Sequence, residues 1–92
     1  MSVQIHIPTP LRAYTNSEAS VTVTGNTVSE ALADLLSRCP NLQKHLYDAK
    51  GKLRSFVNLY LGDEDIRQLE GLETELEDGD ELTIVPSIAG GR

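Results

Sequence analysis

Aromatic residues and cysteine are scarce in this chain. Its 92 residues include no tryptophan, one phenylalanine, three tyrosines and one cysteine, Cys39. Valine, isoleucine and leucine must therefore build the core, and a domain this small buries only about 60% of the surface that its unfolded chain exposes. A lone cysteine excludes an intrachain disulfide and a thiolate zinc cluster. These absences predict one modest core without a deep substrate cleft, so we assign no catalytic residue, no metal site and no cofactor.

Basic residues and long apolar runs are also few. Eight Lys and Arg stand against fourteen Asp and Glu, for a formal net charge of -6. Nucleic acid binding is disfavoured because it depends on neutralising phosphates with basic side chains, and an anionic membrane surface is disfavoured for the same reason. No segment approaches the roughly 20 apolar residues that span a bilayer, and the N-terminus lacks a signal-peptide pattern. We therefore expect a cytoplasmic protein that binds other proteins.

Alternating apolar residues predict strands near both ends of the chain. Val3, Ile5 and Ile7 alternate with polar residues, and so do the two valines of residues 20–24, which is the pattern of half-buried strands. These two strands are predicted to form a hairpin around a turn-like segment at 9–16. Residues 56–61 and 81–85 are predicted as further strands, with a short edge strand at 65–67.

The middle of the chain predicts one amphipathic helix. Thr27 and Glu30 have the spacing of a capping box. The apolar residues that follow recur at helical spacing on one face, and Pro40 ends the pattern. This face comprises Val28, Ala31, Leu32, Leu35, Leu36 and Cys39. Residues 41–47 are predicted to hold a short second helical turn with Leu42 and Leu46 inward.

The order of these elements predicts an α+β roll. A hairpin followed by a crossing helix allows the last strand to lie beside the first, in parallel. The result is a mixed sheet of four to five strands packed on one main helix. We assign residues 1–86 to this domain and residues 87–92, which are mostly small, to a flexible C-terminal tail.

The tail carries the motif that points to a function. Gly90-Gly91 follows the last predicted strand and Pro86. Terminal glycines can be a functionless end, or they can let the backbone enter a narrow channel in another protein, where a side chain would clash. From the two glycines alone, both readings stay open.

The end of the chain has a specific pattern: Asp-Gly-Asp-Glu at 78–81, an alternating strand, Pro86 and then Ala-Gly-Gly at 89–91. With this pattern, the chain as a whole resembles the ubiquitin-like (β-grasp) sulfur carriers of the MoaD/ThiS family. Within the family, the segment before residue 56 and the Phe-Val-Asn-Leu-Tyr strand look most like the carrier associated with a cysteine synthase. The resemblance spans most of the chain, at residues 3–8, 27–36, 56–60, 63–67 and 78–91.

The resemblance implies a mechanism centred on Gly91. A ubiquitin-activating-type adenylyltransferase would attach AMP to the Gly91 carboxylate, and a sulfur donor would displace AMP to leave a thiocarboxylate. The sulfur would pass to an acceptor, expected to be a cysteine synthase. Two alternatives stay open: the small subunit of molybdopterin synthase, serving that enzyme's large subunit, and a protein modifier joined to lysine. An inert β-grasp interaction module is a further hypothesis.

Arg92 departs from the family pattern, in which an activation-ready carrier ends at the second glycine. While Arg92 is attached, the Gly91 carbonyl is part of an amide and cannot be adenylated. We therefore expect the Gly91–Arg92 bond to be a processing site, and a zinc metalloprotease is a suitable class of enzyme to cleave it.

Three apolar residues are predicted to face away from the helix. If Val57 and Leu59 point inward, then Phe56, Tyr60 and Val85 point outward. Such a patch often marks a partner-binding surface, and the alternative is that loops cover it.

Charged and nucleophilic residues elsewhere are interpreted more simply. Ten of the fourteen acidic residues lie between Asp63 and Glu81, which favours a solvated region over a docking face for basic residues. Cys39 is interpreted as a small core residue rather than a sulfur-relay thiol. His6 and His45 are isolated and lack the spacing of metal ligands.

Overall fold

The structure, a computed structural model, describes residues 2–54 and 57–86. Its strands are β1 (Ser2–His6), β2 (Ser20–Thr24), β3 (Val57–Leu61), β4 (Glu64–Asp65) and β5 (Glu81–Pro86). The α-helices are α1 (Val28–Arg38) and α2 (Gln43–Leu46). Short 3-10 helices lie at Thr9–Tyr14, Pro40–Leu42, Ile66–Gln68 and Gly71–Glu73.

The strands form one mixed sheet in the order β2-β1-β5-β3-β4. β1 and β2 form the predicted antiparallel hairpin, and β5 lies parallel to β1, as the topology predicted. β3 pairs antiparallel with β5, and Leu61 stands opposite Leu82. The last strand in sequence is therefore the central strand of the sheet. The α+β fold and the ubiquitin-like β-grasp arrangement are confirmed.

Alternate residues of each long strand point into the core. Val3, Ile5, Leu59, Leu82 and Ile84 are each at most 1% exposed, so their side chains face α1. Their neighbours in sequence point to the opposite side of the sheet, because strand side chains alternate. We call that side the outer face.

The capping box predicted for α1 is present. The Glu30 amide donates to Thr27 Oγ1 over 3.2 Å, and Glu30 Oε1 accepts from the amide of Asn26 over 2.8 Å. Two amides at the helix start are thereby paired with side-chain oxygens. The buried stripe is Val28, Ala31, Leu32 and Leu35, and Leu36 and Cys39 are partly buried against it.

Gly25 is required where β2 gives way to α1. A Cβ atom at this position would lie 2.6 Å from the backbone nitrogen of Ala31. Because that neighbour is helix backbone, it cannot move aside as a side chain could. Glycine therefore lets the strand end directly against the first turns of the helix.

The remaining differences from the predictions are local. The segment predicted as turn-like contains the 3-10 helix Thr9–Tyr14, which Pro10 favours because its ring presets φ. The predicted edge strand at 65–67 is shortened to β4, and Asp65 caps the 3-10 helix that follows. The second helical turn is present, with Leu42 and Leu46 both fully buried. Within the described part of the chain, no helix is long and apolar enough to cross a membrane.

Candidate functional site

β5 ends at Pro86, the residue before the predicted tail. Its last residue, Pro86, stands opposite Val57 of β3, and its first half pairs with β1. The root of the tail is thus held by a strand with neighbours on both sides. The predicted residues Gly90, Gly91 and Arg92 lie outside the described residues, as does Phe56.

Tyr60 and Val85 both lie on the outer face, as predicted. Val85 stands opposite Asn58, and Tyr60 stands opposite Thr83, so the two side chains are diagonal neighbours on paired strands. Val85 is 40% exposed and is the one large hydrophobic side chain that is exposed among residues 2–54 and 57–86. Tyr60 is half-buried. Their position fits a small contact surface beside the root of the tail.

A polar network flanks Tyr60 on the outer face. The Arg67 guanidinium donates to Asn58 Oδ1 and to Asp65 Oδ2 over 3.0 Å. The guanidinium holds the pKa of the Asp65 carboxyl below its usual range, and a backbone hydrogen bond adds to the effect. Sequence reasoning missed this network, although the Asp-x-Arg spacing was visible, because Asn58 joins it only through the β3–β4 pairing.

An open groove of about 380 Å³ lies next to the end of β5. It is lined by residues of β1, β5 and the first loop, among them His6, Pro8, Arg12 and Val85. Arg12 Nε donates to the Ile7 carbonyl over 3.0 Å, and His6 Nε2 lies 2.7 Å from Glu81 Oε1. This groove extends the outer-face surface towards the first loop, and sequence reasoning did not single out Arg12.

Cys39 has the environment of a structural cysteine. It follows α1 as the C-cap residue and packs partly buried against the core. Burial is the main cause that raises the pKa of its thiol, and the nearby Glu18 carboxylate raises it further. A raised pKa lowers the thiolate fraction at neutral pH, which is the reactive form. The geometry agrees with the prediction of a core residue.

His45 lies in a half-buried ring stack. Its ring stacks on Tyr14, with 4.1 Å between centroids and 28° between planes. Its Nε2 atom is buried and has no hydrogen-bond partner among residues 2–54 and 57–86. Among the residues the structure describes, no three His, Cys, Asp or Glu side chains come together to hold a metal ion.

Comparison with known proteins gives consistent matches along almost the whole chain. The family model for ThiS matches residues 5–91, ending one residue before Arg92. The chain is 42% identical over 93 aligned positions to sulfur carrier protein CysO of Mycobacterium tuberculosis (strain ATCC 25618 / H37Rv), covering 99% of this chain and all of that protein.

Solved structures support the same relationship. A BexX/CysO complex from Amycolatopsis orientalis includes a chain with a TM-score of 0.87 and 46% identity, covering 97% of this chain and 99% of that chain. Small archaeal modifier protein 1 from Methanosarcina acetivorans has a TM-score of 0.84 and 30% identity, covering 98% and 96% of the two chains. With the ThiS pattern matched along nearly the full length of the chain and with the β-grasp sheet in place, this chain belongs to the ThiS family.

Proposed function

We propose that this protein is a sulfur carrier that bears its sulfur as a thiocarboxylate at Gly91. The observation that carries the proposal is the 42% identity to a sulfur carrier protein over essentially the full length of both chains. The fold supports it, because the Ala-Gly-Gly segment follows β5 in the sequence and β5 is the central strand of a ubiquitin-like sheet. Residues 1–86 would then provide recognition, and residues 87–92 would form the flexible arm that carries the chemistry.

The chemistry needs activation of a poor electrophile. The Gly91 carboxylate would attack the α-phosphorus of ATP, and pyrophosphate would leave. A sulfur donor would then attack the acyl carbon of the adenylate, and AMP would leave with the bonding electrons. The resulting thiocarboxylate is ionised near neutral pH and nucleophilic at sulfur, as a thiolate is. The carrier supplies no acid or base, so its partner enzymes supply them.

Two partner proteins follow from this scheme. A ubiquitin-activating-type adenylyltransferase would bind the outer face through Phe56, Tyr60 and Val85 and would receive the tail. An acceptor enzyme would then take the sulfur, and we propose a cysteine synthase. Co-purification with a cysteine synthase rather than with the large subunit of molybdopterin synthase would support this acceptor, and the reverse result would favour molybdenum cofactor synthesis.

Arg92 would block activation until it is removed. A zinc metallohydrolase suits this step, because a bound metal polarises the amide carbonyl and generates hydroxide near neutral pH. The glycines at 90 and 91 would allow the tail to enter a narrow site. We therefore expect Gly91→Val to block both cleavage and activation.

The test compares chains that end at Gly91 and at Arg92. Each is incubated with the adenylyltransferase and ATP, and the release of pyrophosphate is measured. We expect release only from the chain that ends at Gly91, because adenylation needs a free carboxylate at that residue. Equal release from purified, uncleaved full-length protein would contradict the proposal that Gly91 is the activated residue.

A second candidate function is that of a protein modifier. The 30% identity to small archaeal modifier protein 1 over nearly the whole chain favours it. Mass spectrometry of the protein from its native cells separates the two. Replacement of one carboxyl oxygen by sulfur adds about 16 Da and supports the carrier, whereas Gly91–lysine adducts on other proteins support the modifier.

A further inference from the structure

Charge is strongly segregated along this acidic chain. Four of its eight basic residues lie between Lys44 and Arg54, where Asp48 is the only acidic residue, so this segment carries a net charge of about +3. The segment 63–81 holds ten acidic residues and a single basic one, Arg67. Such separation produces an electrostatic dipole across a small domain, and a dipole orients a charged partner during encounter.

Two of these basic residues, Lys44 and Arg54, help to line an open groove of about 540 Å³, together with Pro40, Tyr47 and Asp48. Lys44, Lys50 and Lys52 are exposed. The side chains of Arg38 and Arg67 pair with Asp34 and Asp65 at 3.0 Å, whereas these three lysines form no ion pair within the described ranges. We call Lys44, Lys50, Lys52 and Arg54 the basic surface.

Asp48 offsets only one of the four positive charges, and its carboxylate also holds the turn together. Asp48 Oδ1 accepts hydrogen bonds from the amides of Lys50 and Lys52, over 2.8 and 3.0 Å. The amide of Lys52 is the main cause that lowers the pKa of the Asp48 carboxyl. The turn is thereby held in a shape that presents both lysines to solvent.

Arg54 connects the basic surface to the strand pair at the root of the tail. Arg54 Nε donates to the Lys44 carbonyl over 3.0 Å, and the Val57 amide donates to the Arg54 carbonyl over 3.0 Å. Val57 in turn stands opposite Pro86. Since paired strands place opposite Cα atoms about 5 Å apart, the backbone of Arg54 lies within roughly 10 Å of the last described residue before the tail.

The acidic residues gather at the opposite end of the same strands. Asp78 and Asp80 lie in the turn before β5, and Glu64 of β4 pairs with Leu61 at the far end of β3. At about 3.3 Å per residue, the six residues of β5 separate this acidic end from the root of the tail by about 17 Å. Arg54 and these acidic residues therefore lie towards opposite ends of β3 and β5.

We propose that the basic surface docks an acidic surface on the protein that receives the tail. This inference rests on the proposed function, in which the tail enters an adenylyltransferase. Attraction of the basic surface and repulsion of the acidic end would together orient the carrier with its tail towards the partner's site, and this contact is separate from the outer-face contact of Tyr60 and Val85. Electrostatic complementarity of this kind raises association rates and suppresses wrong orientations.

The experiment measures adenylation kinetics with a double variant, Lys44→Gln with Lys52→Gln, on the chain that ends at Gly91. The matched control is Asn26→Asp with Gln68→Glu, which changes the net charge equally through near-isosteric replacements at exposed positions. A second control, Lys44→Arg with Lys52→Arg, keeps both charges in place. The KM for the carrier, the kcat and the KM for ATP are measured from low to high salt, with circular dichroism to verify folding.

We expect the lysine-to-glutamine variant to raise the KM for the carrier about five- to tenfold at low salt, with kcat unchanged. High salt should remove most of the difference from wild type, because it screens exposed charges. The matched control should change KM less than about twofold, and the arginine control should resemble wild type.

Five results would overturn the inference. An equal rise in KM for the matched control would show an effect of net charge alone. A change confined to the KM for ATP would show that the basic surface binds the nucleotide phosphates. If wild type self-associates and the lysine variant does not, the basic surface binds a second copy of this chain. An unchanged KM in the lysine variant, with wild type fully active, would refute the docking surface and leave the proposed function standing. If the wild-type chain ending at Gly91 is not adenylated at all, the proposed function fails and this inference fails with it.

Discussion

Tyr60 is an aromatic residue on the outer face of the sheet. It lies on β3, the strand that pairs with the last residues before the tail. It stands two pairs along from Val85, and the Asn58–Arg67–Asp65 network lies beside it. An amphipathic ring between an exposed apolar side chain and a charged network is typical of a residue that anchors a protein contact.

We therefore expect Tyr60→Ala to weaken binding to the adenylyltransferase by about 1–2 kcal/mol, the usual range for an aromatic anchor that is not fully buried. Titration calorimetry with the purified enzyme measures the loss. Thr83→Ala, at the paired position on β5, is the matched control and should change affinity little. Unchanged affinity in Tyr60→Ala would show that the enzyme does not contact this part of the sheet.

The environment of His45 leads to a prediction about stability rather than function. Its ring is held by the stack on Tyr14, but its buried Nε2 atom has no hydrogen-bond partner in the described part of the chain. A buried polar atom without a partner costs about 1–3 kcal/mol. His45→Phe keeps an aromatic ring and removes that atom, so we expect stability to rise by about 1 kcal/mol.

Thermal unfolding measures this change, and a gain of about 1 kcal/mol raises the Tm of a domain this size by about 4–8 °C. His45→Leu is the control, since it also removes the nitrogen but loses the stack. A fall in Tm for His45→Phe would mean that Nε2 is hydrogen-bonded in solution.

At the scale of elements, the carboxylate of Asp34 in α1 forms a hydrogen bond to β2. Asp34 Oδ2 accepts from the Thr24 amide over 2.9 Å and from Arg38 Nε over 3.0 Å. The amide of Thr24 is the main cause that lowers the pKa of the Asp34 carboxyl, followed by Arg38. Because β2 is an edge strand, this bond also pairs one of the amides that an edge leaves open to other chains.

This arrangement predicts a loss of stability in acid. The folded state lowers the pKa of Asp34, so the carboxylate stabilises the fold above its unfolded pKa of about 4 and loses that effect as the pH falls through the lower folded value. Asp34→Asn should therefore reduce stability at neutral pH and flatten the decline of Tm below about pH 4.

Thermal melts between neutral and acid pH, on wild type and Asp34→Asn, provide the measurement. Asp63→Asn removes an exposed carboxylate without these bonds and controls for the loss of charge alone. An acid decline of equal slope in wild type and Asp34→Asn would show that other groups control it.

At the scale of the whole molecule, we expect the domain to determine stability and the tail to determine activity. Deleting residues 90–91 should abolish adenylation but change Tm little, because a solvated terminus makes few contacts. Leu46→Ala, at a fully buried position, is the comparison and should lower stability by about 2–5 kcal/mol. Calorimetry and pyrophosphate release measure the two properties on the same samples. A large fall in Tm for the deletion would show that the tail is structural.

Much of the fold could be predicted from local patterns. Strand alternation placed Val3, Ile5 and Leu59 in the core, and the capping box located the start of α1 at Thr27. The outward direction of Tyr60 and Val85 followed from the same alternation. These features depend on neighbours within a few positions, so a single stretch of sequence contains the cause. The Gly-Gly motif of the tail could also be recognised in the sequence. The functional roles of Gly90, Gly91, Phe56 and Arg92 remain predictions from the sequence.

The tertiary structure alone decided which distant residues meet. Asn58 reaches Arg67 only because β4 folds back on β3, and His45 stacks on Tyr14 across thirty-one positions of chain. The four cations of the basic surface lie close together in the sequence, but the position of Arg54 near Pro86 depends on the register that sets Val57 opposite Pro86. Such register results from packing the whole sheet against α1, because a shift of one residue would turn every buried side chain outward.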